Sequence, residues 1–76
     1  MYIGNIIMSF NELHEEEVLL INYGSGKQSK VYHDDKILKI NGDLKFERTI
    51  SKNRRCIIIV DCAEVESLVI QKGEYL

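Results

Sequence analysis

Four side chains in this 76-residue sequence could bind a transition metal or form a nucleophile with its base: His14, His33, Cys56 and Cys62. A helical zinc pair needs two histidines four residues apart. Val18 stands four residues after His14, and none of the four has ligand spacing. Cys56 and Cys62 bracket the most apolar stretch of the chain, where burial keeps thiols inert. Two reduced thiols suit a cytoplasmic protein, and no disulfide framework is expected. The segment Gly24-Ser25-Gly26-Lys27-Gln28-Ser29 has the shape of the end of a phosphate-binding loop. That motif needs a glycine with four residues between it and the Gly-Lys pair, and a hydroxyl after the lysine. Ile21 and Gln28 occupy those places, so the segment reads as a hairpin turn. No two of the twelve acidic residues stand out as an acid and base with separated pKa values. The expectation is no catalytic residue, no metal, no cofactor and no enzyme.

Charge is more informative. Residues 1–26 carry a net −4, residues 27–55 a net +5 and residues 56–76 a net −3. The overall −2 therefore conceals a basic middle between acidic ends. Glu12, Glu15, Glu16 and Glu17 form a compact negative group that could dock on a basic protein surface and steer association. Tyr32, Lys39, Lys45, Lys52, Arg54 and Arg55 offer the alternative, a cationic sheet with one aromatic for single-stranded nucleic acid. The sequence pI of about 5.6 opposes that alternative, since such binders are usually strongly basic.

These residues need elements to position them. Eleven isoleucines, one alanine and no proline lean the chain toward sheet. Residues 2–8 read as a first strand. Ser9-Phe10-Asn11-Glu12 has capping-box spacing and predicts a short helix through Glu17. Val18 to Tyr23 reads as a strand, with a helix running on to Gly24 as the other reading. Lys30–His33 and Lys36–Ile40 flank Asp34-Asp35, and Asn41-Gly42 is a strong hairpin signal before Leu44–Ile50. Alternation groups Leu38 and Ile40 with Leu44, Phe46 and Ile50, leaving Ile37, Lys39, Lys45, Glu47 and Thr49, with Lys30 and Tyr32, on the opposite face. Cys56 to Cys62 is apolar on both faces and predicts a central, covered strand. The tail fits either a helix with Gly73 as its C-cap or a further strand.

A chain this short buries only about 60% of its unfolded surface, so its interior must be filled with its own side chains. The predicted fold is mainly β, or a β-rich α+β arrangement. It is a small antiparallel meander sheet or partly open barrel of four to six strands with one or two short helices, in a single domain over 1–76. No apolar run is long enough to span a membrane, and residues 1–8 lack the basic and long apolar stretches of a secretory leader, so none is expected. The expected function is a non-enzymatic interaction module that binds and inhibits or regulates a protein partner, alone or as a homodimer. In size, acidity and absence of catalytic motifs the chain is similar to small phage-encoded inhibitors such as anti-CRISPR proteins. That likeness covers bulk character only and transfers no site residue.

Overall fold

The computed structural model describes residues 1–72. It is mainly β, as expected, with six strands, one α-helix and one short 3₁₀ turn. Helix α1 spans Ile3–Asn11 and is followed by β1 (Glu17–Tyr23), β2 (Gln28–Tyr32), β3 (Lys36–Ile40), β4 (Asp43–Ser51) and β5 (Arg54–Val60). The 3₁₀ turn, Cys62–Glu64, leads into β6 (Val65–Lys72). The Gly73 cap expected for a helical tail lies outside the described residues, and the tail up to Lys72 is strand.

The strands form two three-stranded antiparallel sheets, ordered β2-β1-β6 and β3-β4-β5; the second is a meander, and no barrel closes among the described residues. The sequence expected β2 and β3 to be neighbours across Asp34-Asp35. Instead the chain turns there, with Asp35 N–H donating to Tyr32 O at 3.0 Å, and passes from one sheet to the other.

Residues 2–8 were expected as strand and are helical. Ile3, Ile6, Ile7 and Phe10 recur at helical spacing, and burying that stripe outweighs the β preference of isoleucine. The capping-box helix over residues 9–17 is absent. Ser9 lies inside α1, and Glu12 is its C-cap, its N–H reaching Met8 O and Ser9 O.

Ile6 and Phe10 pack into a core built from Leu19, Ile21 and Val31 of the first sheet and Leu44, Phe46 and Val60 of the second. Phe10 meets Phe46 edge-on, with ring centroids 5.2 Å apart and planes at 61°. Cys62 and Val65 close the core beneath the connection between the sheets.

Strand β5 corrects a further expectation. It is an edge strand, and β4 is the centre of its sheet. The inward row of β5 (Cys56, Ile58, Val60) faces the core, while Ile57 and Ile59 point outward.

Candidate protein-binding surface

The register of the second sheet decides which side chains share its outer face. Asn41 and Gly42 both adopt positive φ, 47° and 86°, which makes a two-residue turn and sets Ile40 directly opposite Asp43. Lys39 then opposes Leu44, Leu38 opposes Lys45, and Lys36 opposes Glu47. Opposed residues lie on one face. The alternation inferred from sequence for β3 is therefore reversed. Ile37 and Lys39 belong to the core-facing side with Leu44 and Phe46, and Leu38 and Ile40 belong to the outer side with Lys45 and Glu47. On β5, Ile59 opposes Lys45 and Ile57 opposes Glu47, extending the outer face.

The result is an aliphatic surface with a polar centre. Leu38, Ile40, Ile57 and Ile59 are 49%, 42%, 52% and 60% exposed. Between them Lys45 Nζ lies 3.1 Å from Glu47 Oε1, and Arg55 Nη1 lies 4.0 Å from the same oxygen. The hydrogen bond and charge of Lys45 hold the Glu47 carboxyl below the usual carboxylate range. Three strands at about 4.8 Å and seven residues at about 3.4 Å give a face of roughly 14 by 24 Å. Four exposed aliphatic side chains grouped on one open face, with the charges between them paired, mark a candidate contact surface.

A buried clamp braces this sheet from its other side. The Asp35 carboxylate is buried and accepts from Arg48 Nε at 2.8 Å, Arg48 Nη2 at 2.9 Å and the Tyr32 N–H at 2.9 Å. The Arg48 guanidinium lies 4.2 Å from the Tyr32 ring centroid. Asp35 thus raises an already high arginine pKa, and Arg48 ties β4 to the end of β2. Sequence reasoning missed this clamp. Its signal was an arginine in line with Leu44 and Phe46, where a charge at the core margin requires an anion.

The basic residues singled out from sequence are distributed rather than collected. Lys52, Arg54 and Arg55 are exposed together at the β4–β5 hairpin. Lys39 lies toward the opposite end of the sheet, about 20 Å away at strand spacing. Lys45 is paired with Glu47, and one face of Tyr32 is covered by Arg48. Lys36, Arg48 and Arg55 line a depression of about 300 Å³, but Asp34 and Glu47 line it too.

The acidic residues occupy the connection from α1 to β1. Glu12 caps the helix, Glu15 and Glu16 are exposed, and Glu17 opens β1 half-buried. Glu17 Oε1 accepts from the His14 N–H at 2.9 Å. Glu12 and Glu17 line a shallow groove with Leu13, His14 and Ile70.

Among the described residues no three His, Cys, Asp or Glu side chains converge as a metal site. Cys62 is buried, which pushes its thiol pKa up, and Cys56 is half-buried. No described helix is long and apolar enough to cross a membrane. Comparison with protein-family models, with curated proteins and with solved structures finds no match.

Proposed function

We propose that this protein is a non-enzymatic interaction module that binds a protein partner through the outer face of β3-β4-β5 and so inhibits or regulates it. The supporting observation is the exposed quartet Leu38, Ile40, Ile57 and Ile59 around the Lys45–Glu47 pair. Aliphatic side chains on an open sheet face gain most from excluding water against another surface. The acidic connection of Glu12, Glu15, Glu16 and Glu17 would act at longer range, speeding encounter with a basic partner.

The test is affinity capture from the native host, with and without nuclease, using the native chain and a Leu38→Lys/Ile40→Lys variant. A partner retained after nuclease and lost with the variant supports the reading. A partner held equally by both chains overturns the assigned face. Reversing the four glutamates should slow association at low salt and leave dissociation nearly unchanged. The nucleic-acid alternative draws on the exposed Lys52-Arg54-Arg55 hairpin. Titration with short single strands at two salt concentrations tests it, because phosphate contacts weaken steeply with salt.

A further inference from the structure

Four strands lie at sheet edges: β2, β3, β5 and β6. Exposed edges invite another strand, and charges placed within them discourage it. Lys30 interrupts β2, Lys39 interrupts β3, and β6 carries Glu66 and Lys72. Strand β5 differs. After Arg54 and Arg55 at its start, its stretch Cys56-Ile57-Ile58-Ile59-Val60 is apolar throughout, whereas the uncharged Ser67–Gln71 of β6 begins and ends on polar residues, and among the described residues β5 pairs only with β4.

The charges that flank this stretch fit a second copy of the same strand. Arg55, Ile57 and Ile59 form the outward row of β5. Asp61 is exposed and extended, with φ −78° and ψ 101°, and continues that row. The row therefore runs cation, aliphatic, aliphatic, anion. Reversed in direction, it is complementary to itself. We propose that β5 is a homodimerisation edge. Two copies pair their β5 strands antiparallel about a two-fold axis at Ile58, joining two three-stranded sheets into one of six.

One register satisfies every outward position. With Ile58 opposite Ile58, Ile57 of each copy meets Ile59 of the other. Arg55 of each copy then meets Asp61 of the other, so both ends carry an opposite-charge pair. A two-residue slip sets Arg55 against Ile59 or Ala63 and leaves the charges unmatched. A one-residue slip turns the outward row of one copy against the inward row of the other. Asp61 accepts from the Ala63 N–H through Oδ1, so its cap occupies one carboxylate oxygen. Pairing through β5 is independent of partner binding. The two sheets join side by side, and the outer face stays open.

Sedimentation equilibrium of the purified chain provides the test. The native chain should form dimers in the tens of micromolar. Arg55→Asp opposes two acids at each end, and Asp61→Arg opposes two bases. Each variant alone should associate at least about tenfold more weakly. Mixed in equal amounts, the two variants should restore a heterodimer, because each then supplies the charge that the other lacks. Circular dichroism establishes that the variants are folded. Should Asp61→Arg fail to fold, Asp61→Asn retains a capping side chain while losing the charge, and it too should weaken the dimer. A native chain that is monomeric at about 1 mM overturns the proposal. So does a dimer unaffected by Arg55→Asp, or a mixture of folded charge variants that stays monomeric.

Discussion

Asp35 illustrates how one acid can secure a boundary between sheets. It satisfies the Tyr32 N–H and two donors of Arg48. Replacing it with alanine takes the carboxylate away from the half-buried Tyr32 N–H and the half-buried Arg48 cation, a loss of about 3 kcal/mol. Asp35→Asn keeps an acceptor for Tyr32 and should cost less. Chemical denaturation of both variants checks the order. Glu47 acts through its ion pair with Lys45 on the outer face instead. Its folded pKa is below the ordinary 4.5, so its ionised form favours the folded state at neutral pH. That contribution fades as pH falls below 4.5 through the folded pKa. Glu47→Gln should therefore flatten part of the acid limb of a stability profile. Cys62 works at the other end of the scale. Burial raises its folded pKa above 9.0, so stability declines as pH rises from that value and the unfolded thiol ionises first. In the native state an alkylating reagent should modify half-buried Cys56 well before Cys62, as peptide mass mapping over time would show.

The elements were unevenly legible. Asn41-Gly42 was read correctly because few dipeptides accept two positive φ values, and that chemistry is local. The strands between Val18 and Val60 were likewise visible as alternating or apolar runs, whereas the tail that forms β6 fitted helix and strand equally. The face assignment of β3 failed because alternation has a period of two but no origin, and the tight turn supplied the origin. Helix α1 was misread through residue preference, although Ile3, Ile6, Ile7 and Phe10 carried the helical period. Strand β5 was placed in the interior because continuous apolarity normally marks a covered strand. Here the same composition stands at an edge, so the outer surface was hidden by the rule that usually finds a core. The clamp of Asp35 and Arg48 depends on contact between sheets, which spacing alone does not reveal. The β3–β4 turn gives its own prediction. Gly42 at φ 86° excludes a branched side chain, so Gly42→Val should destabilise by about 1–2 kcal/mol, measured by thermal melting.

At the scale of the molecule, one core serves both sheets and the helix. Phe46 sits fully buried at its centre, against Phe10. A domain of this size has about 4–11 kcal/mol of total stability. Phe46→Ala would remove about 3–5 kcal/mol of it. Loss of the cooperative melt, or a steep fall in its midpoint, is the expected outcome. Phe46→Leu should retain a cooperative transition at a lower temperature.

The position of β6 has a consequence for the nascent chain. Strand β1 is flanked by β2 and β6, and Glu17 lies opposite Lys72. The sheet of β3, β4 and β5 pairs only neighbours in sequence and can form soon after they leave the ribosome. The first sheet must wait until residues 65–72 have been made. At about 5–20 residues per second, that delay lasts several seconds. Throughout it, Leu19 and Ile21 lack one of their covers, which makes that interval the time when a chaperone has most to offer this protein.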